Sequence, residues 1–127
     1  MGFGLGARVI YEACLNLADA LENGDGRAAG IVQHAVFMGL PATCEAARWE
    51  RIRSVCAGRV VNAYRPNDLV LSIVHRAANM ALGVAGLAEV QCDGVENFDV
   101  SGVVAAHHKY RHATSDVLSL IGMDDAI

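Results

Sequence analysis

Short apolar runs typical of buried strands alternate with longer runs typical of amphipathic helices, and this alternation restricts the possible folds more than any other feature of the chain. The runs that predict strands are residues 31–39 and 59–64 and, more weakly, residues 95–100. Those that predict helices are residues 7–22, 42–57, 69–82 and 109–121. Parallel strands joined by helices that cross over both faces of the sheet satisfy this order. We therefore predict an α/β fold with about three parallel strands and flanking helices.

A parallel sheet of three strands is too small to stand alone, because both its faces need covering and its central strands need neighbours. The chain has 127 residues, of which 54% are hydrophobic, and this predicts at most one ordered domain. We predict that residues 1–127 are the C-terminal part of a larger domain. The apolar sheet edge that such a piece leaves open predicts self-association.

Charge and cysteine usage argue against several classes of function. The net charge is −4 and the basic residues are scattered, so a nucleic acid partner is not expected. No uncharged stretch reaches the roughly 20 residues that cross a bilayer, so no transmembrane segment is expected. The chain starts without a secretory signal pattern, and its four cysteines form no C-x-x-C pair. These features predict an intracellular, cytoplasmic protein with reduced thiols.

The start of the chain carries a glycine pattern. Gly2-Phe3-Gly4-Leu5-Gly6 has the outline of G-x-S-x-G, in which a sharp strand-to-helix turn lifts a serine hydroxyl above a sheet. Gly4 stands at the nucleophile position and has no hydroxyl. Because only Met1 precedes the pattern, we expect the strand that should lead into the turn to be absent.

The same glycines allow two other interpretations. Gly2, Gly4 and Ala7 fit the dinucleotide fingerprint G-x-G-x-x-A, although both the lead strand and an acidic residue after the next strand are missing. A plain glycine-rich turn that enters a helix is the other interpretation. The glycine pattern alone favours the plain turn.

Two titratable residues follow the glycines in the Ser…Asp…His order of α/β-hydrolases. Asp68 comes just after a predicted strand, where its carboxylate can orient an imidazole or cap the helix that begins at Leu69. His107 lies in a predicted loop after the last strand, a position suited to a general base. His108 and His112 have the spacing of a metal-binding pair, but no third ligand is evident. We predict neither a metal nor a cofactor.

Longer runs of the sequence, which include the residues named above, resemble one known family. The run GFGLGARVI at residues 2–10 resembles the GFSLGARVI elbow of the transmembrane and coiled-coil domain-containing protein 4 family. The similarity continues through Trp49, the run GRVVNAY at residues 58–64, Asp68 and His107 with Tyr110. That family is predicted to have an α/β-hydrolase domain. The resemblance implies that the chain is the C-terminal portion of that domain.

The resemblance also implies a site. It places a serine nucleophile at position 4, the acid at Asp68, the base at His107 and an oxyanion-binding N–H at Leu5. Ester or lipid substrates and membrane association are implied for the full-length family, whose transmembrane segments lie before the elbow. Besides Gly4, the chain departs from the family pattern at Leu69, where tryptophan is usual, and at Ala106, where glycine is usual.

Three functions follow from these observations. The leading one is a truncated or degenerate serine-hydrolase-like protein of the esterase or lipase type. We expect this protein to be inactive because Gly4 has no attacking oxygen. The alternative is a non-catalytic binding or adaptor module of the same family that uses the open sheet edge. A dinucleotide-binding fragment has the least support.

Overall fold

The computed structural model describes residues 1–78 and 82–123. These residues form a four-stranded parallel sheet in the order β1-β2-β3-β4. The strands are β1 (Gly2–Phe3), β2 (Ala35–Met38), β3 (Val60–Tyr64) and β4 (Val95–Asp99). The predicted α/β architecture of parallel strands and flanking helices is therefore confirmed.

The strand that leads into the glycine turn is present, so the expectation of its absence was wrong. Gly2 lies opposite Phe37 and Phe3 lies opposite Met38 in parallel register. Two residues suffice here because β2 supplies the hydrogen-bonding partners along the whole of β1. This strand raises the number from the predicted three to four.

Four α-helices connect and cover the strands within the described residues: α1 (Leu5–Glu22), α2 (Ala46–Val55), α3 (Leu69–Ala78) and α4 (Thr114–Ile121). Short 3₁₀ helices span Gly26–Ala28 and His107–His112. The predicted continuation of α3 over residues 79–81 lies outside the described residues. No described helix is both long enough and apolar enough to span a bilayer.

Two predicted helices differ most from the structure, whereas the helix predicted over 7–22 only begins two residues earlier, at Leu5. The helix predicted from residue 42 begins at Ala46, because Thr43 pairs with Val84 in an antiparallel bridge and is extended. The helix predicted over 109–121 is divided into the His107–His112 helix and α4. The tighter 3₁₀ winding brings Tyr110 and Ala113 to the same side, and both are buried.

Apolar side chains cover both faces of the sheet. On one face, Trp49 of α2 packs against the rings of Tyr11 and Phe37, with centroid distances of 5.9 and 5.3 Å. On the other face, Val36 and Met38 join the cluster around Tyr110 and α4. Successive residues of β2 therefore point to opposite faces, and all four residues of the strand are buried.

The parallel arrangement decides where a site can form. Because all four strands run in one direction, the segments that follow them emerge at a single edge of the sheet. Gly4 follows β1, Asp68 lies just beyond β3, and His107 lies beyond β4. In the described sheet, β1 and β4 are the outer strands, and self-association through such an edge stays a prediction.

Candidate functional site

Gly4 forms the sharp turn between β1 and α1. Its φ is 53° and its ψ is −127°, a conformation that side-chain-bearing residues rarely adopt. The Gly4 N–H donates to the Met38 carbonyl at 2.9 Å, and the Gly4 carbonyl accepts from the Arg8 N–H at 3.2 Å. A Cβ on Gly2 would lie 2.9 Å from the carbonyl carbon and oxygen of Gly6. The turn therefore requires close backbone approach as well as a positive φ.

Asp68 serves two partners with its two carboxylate oxygens. Oδ2 lies 2.6 Å from Nδ1 of His107, and Oδ1 accepts the Leu71 N–H at 3.0 Å in the first turn of α3. The side chain is fully buried, so neither oxygen relies on solvent. The two roles considered for Asp68 from the sequence, orienting a histidine and capping a helix, occur together.

His107 lies between Asp68 and Gly4. It is the first residue of the His107–His112 helix rather than part of a loop, and its side chain is 17% exposed. A Cβ built on Gly4 would lie 3.1 Å from Nε2 and 3.6 Å from Cε1 of His107. Because Nδ1 faces Asp68, Nε2 is the nitrogen that faces position 4. The structure brings together the three residues that the sequence analysis selected.

Arg65, which no sequence motif had indicated, joins the segments that carry Asp68 and His107. Its Nε donates to the Val104 carbonyl at 3.0 Å, and its Nη1 donates to the Asn67 carbonyl at 2.8 Å. A guanidinium presents several donors in a rigid plane, so one side chain holds both segments. Its position directly after a predicted strand was the available signal.

Tyr110 and Gly39 support the histidine from the side. The Tyr110 ring is fully buried and meets the His107 ring edge to face, with centroids 5.9 Å apart. A Cβ on Gly39 would lie 2.7 Å from Cε2 of Tyr110 and 3.3 Å from Cε1 of His107. Gly39, with φ 58°, thus leaves room for both rings. The family resemblance included Tyr110 but assigned it no role.

The Tyr110 hydroxyl is buried without a hydrogen-bond partner among the described residues. Burial, followed by the nearby charge of Asp68, raises the pKa of this phenol above its ordinary value. The ring, rather than the hydroxyl, therefore carries the packing role of Tyr110.

Tyr110→Phe is expected to leave the free energy of unfolding within about 1 kcal/mol of the original value, or to raise it, because no hydrogen bond is lost. Tyr110→Ala is expected to cost about 3–5 kcal/mol, since it empties a buried aromatic site. Equilibrium urea denaturation of both variants measures the difference. A loss of more than about 2 kcal/mol in the Phe variant would show that the hydroxyl has a partner.

A cleft of about 500 Å³ opens beside Gly4 and His107. Apolar side chains, among them Leu5, Pro41 and Val70, make up most of its lining. The Leu5 N–H lies in the first turn of α1, where N–H groups have no acceptor within the helix and form the positive end of its dipole. The use of this N–H as an oxyanion donor stays a prediction.

The other ligand hypotheses gain little from the structure. His108 and His112 lie in the His107–His112 helix, and no group of three potential metal ligands occurs among residues 1–78 and 82–123. The dinucleotide interpretation regains its lead strand in β1. However, Gly39, Leu40 and Pro41 follow β2, so the acidic residue that it requires is still missing.

Comparison with known proteins shows the family. The model of the family described as "Protein of unknown function (DUF726)" matches residues 1–124. The transmembrane and coiled-coil domain-containing protein STS1 of Oryza sativa subsp. japonica is 37% identical over 118 residues, which are 93% of this chain and 17% of STS1. An uncharacterized membrane protein of Schizosaccharomyces pombe is 38% identical over 120 residues, 93% of this chain and 20% of that protein.

A third relative has a functional name. The probable lipase MIL1 of Saccharomyces cerevisiae is 30% identical over 127 residues, 97% of this chain and 11% of MIL1. The chain thus spans 11–20% of the length of these three relatives. No solved structure matches significantly. The resemblance inferred from the motifs is confirmed, and the chain belongs to the DUF726 family.

Proposed function

We propose that residues 1–127 are the C-terminal part of an α/β-hydrolase-type domain whose acyl-transfer site has lost its nucleophile. The observation that carries this proposal is the arrangement around Gly4. The turn has the strained strand-to-helix conformation that a nucleophile elbow needs, and Nε2 of His107 lies 3.1 Å from the Cβ that a side chain would add. Asp68 holds the opposite nitrogen of the same ring at 2.6 Å.

The order of these groups supports acyl-transfer chemistry in particular. A buried carboxylate that binds Nδ1 keeps the proton on that nitrogen and leaves Nε2 free to accept one. A serine at position 4 would present its hydroxyl to that acceptor, and the hydroxyl would attack an ester carbonyl. The Leu5 N–H would then bind the oxyanion that forms on the carbonyl oxygen.

Without a hydroxyl, the same groups cannot form an acyl-enzyme. Glycine has no atom that could lose a proton to His107 and bond to the acyl carbon. We therefore expect the chain to bind an ester without covalent turnover. The probable lipase name of one relative and the apolar lining of the cleft support an ester with an apolar acyl chain.

A fluorophosphonate probe, which phosphonylates activated serine hydroxyls, tests the proposal. The Gly4→Ser variant is expected to be labelled on the peptide that contains position 4, whereas the unsubstituted chain is expected to show no label there. Gly4→Ala adds the same Cβ without a hydroxyl and serves as the matched control. Labelling of Gly4→Ser that persists when His107→Ala is added would contradict the role proposed for His107.

A non-catalytic binding module is the second candidate. The observation that favours it is the exposure of Leu5 and Val9, which lie one turn apart on α1 and are 80% and 68% exposed. Such side chains suit a partner surface beside the cleft. The labelling experiment separates the candidates, because a module that never supported acyl transfer would stay unlabelled after Gly4→Ser.

A further inference from the structure

The His107–His112 helix exposes positive charge that has no partner in the described part of the chain. Lys109 and Arg111 are both exposed, as are the imidazoles of His108 and His112. Five of the eight other basic residues, Arg8, Arg27, Arg48, Arg51 and Arg59, form ion pairs with carboxylates. Neither Lys109 nor Arg111 forms such a pair with any described residue. The chain as a whole is acidic, with a net charge of −4, so this cluster has the opposite sign to the net charge.

The neighbouring helix α3 exposes apolar side chains instead of burying them. Leu69, Val70 and Ile73 are 78%, 49% and 66% exposed, and Leu71 is the one fully buried residue of α3. Helix α3 contacts the His107–His112 helix. An apolar stripe and a cationic segment thus lie side by side.

An opening at His107 lies between α3 and the start of the His107–His112 helix, and Lys109 and Arg111 follow it in that helix without lining it. A cleft of about 300 Å³ is lined by Leu69 and Val70 from α3 and by His107 and His108 from the other helix. We refer to Leu69, Val70, Ile73, Lys109 and Arg111 as the docking surface. Whatever binds this surface also covers the approach to His107 from this side.

We propose that the docking surface binds the face of a bilayer that contains anionic lipids. Apolar side chains beside lysine and arginine are the combination that an interfacial segment presents, with the apolar groups among the acyl chains and the cations at the headgroups. An anionic bilayer satisfies both halves of the surface at once. A neutral bilayer would leave Lys109 and Arg111 without counter-charges.

The acidic net charge of the chain does not prevent this contact. Charges more than about 8–10 Å apart are largely screened at physiological salt, so the local cluster decides the interaction at contact. Asp116 of α4, which is exposed, is the carboxylate nearest in sequence to the cluster and opposes it. Asp99, whose charge reaches Tyr110 in the same helix, opposes it as well, but neither of these two carboxylates forms an ion pair with Lys109 or Arg111.

Vesicle flotation with the chain tests this proposal. Binding is expected for phosphatidylcholine vesicles that contain phosphatidylserine and to be much weaker for phosphatidylcholine alone. The double variant Lys109→Gln/Arg111→Gln is expected to bind anionic vesicles about 25-fold more weakly, at about fivefold for each cation. Leu69→Ser/Ile73→Ser should also weaken binding, and since both side chains are exposed, the fold should tolerate these changes.

Arg27→Gln/Arg48→Gln is the matched control. It removes the same net charge from two exposed arginines that are paired with Asp25 and Glu45 away from the docking surface, and it is expected to keep full binding. Equal losses in the two double variants would overturn the proposal, and so would an absence of binding to anionic vesicles. The surface would be assigned to a second copy of the chain if the unsubstituted chain formed a dimer and bound no vesicles, and if Leu69→Ser/Ile73→Ser removed that dimer. Because the proposal does not depend on the residue at position 4, it stands or falls independently of the acyl-transfer site.

Discussion

Gly4→Ser is expected to raise the rate of p-nitrophenyl ester hydrolysis by the chain on the order of 10³-fold. Loss of a serine nucleophile costs about 10⁶ in kcat in the well-studied proteases. We expect only part of that factor to return, because α/β-hydrolases take their second oxyanion donor from a loop after an earlier strand, which is not among the four described strands, and one such donor is worth about 10²–10³.

The gain in rate requires that the fold tolerate a side chain in the backbone conformation of Gly4. A side chain at φ 53° costs about 1–3 kcal/mol, and its Cβ at 3.1 Å from Nε2 requires His107 to move by a few tenths of an ångström. Circular dichroism must therefore show that the variant is folded before its rate is measured. Gly4→Ala carries the same strain without the hydroxyl and should remain at the rate of the unsubstituted chain.

Two results would contradict the acyl-transfer proposal. One is a folded Gly4→Ser variant with no gain in rate. The other is ester turnover by the unsubstituted chain that His107→Ala abolishes, because this would mean that the site works without a nucleophile at position 4.

Asp68→Asn, placed in the Gly4→Ser background, is expected to return the rate to that of the unsubstituted chain. In the serine protease template this substitution lowers kcat by about 10⁴, because an amide beside Nδ1 stabilises the wrong tautomer of the histidine. That factor exceeds the gain expected from Gly4→Ser. The measurement is kcat for the same ester across the pair of variants.

The same substitution separates the two roles of Asp68. An asparagine Oδ1 can still accept the Leu71 N–H, so Asp68→Asn should keep the cap of α3, whereas Asp68→Ala should also lose about 0.5–2 kcal/mol of stability. Urea denaturation of the two variants tests this difference. Activity that survives Asp68→Asn while it is lost in Asp68→Ala would mean that the carboxylate acts only as a cap.

Much of the fold followed from local patterns. The runs around β2 and β3 are largely apolar and bounded by proline or glycine, and they form strands near their predicted positions, as does the more polar run of β4. Strand β1 could not be predicted because two residues have no periodicity. It is a strand only because β2 supplies its partner, which is a tertiary effect.

The supporting residues of the site escaped prediction for a similar reason. Arg65, Gly39 and Tyr110 belong to no motif in which spacing along the chain indicates a role. Arg65 bridges two carbonyls that are distant in sequence, and Gly39 matters because two rings approach it. Such roles arise only when separate loops meet.

The family, the α/β alternation and the order of Gly4, Asp68 and His107 could be read from the sequence, because motifs and periodicity are properties of neighbouring residues. The tertiary structure brings these three residues together, because a parallel sheet carries the ends of β1, β3 and β4 to one edge. It also decided which nitrogen of His107 faces position 4, because buried Asp68 occupies the other. The positive φ of Gly4 and the contact between α3 and the His107–His112 helix are also tertiary features, since both depend on packing between distant segments.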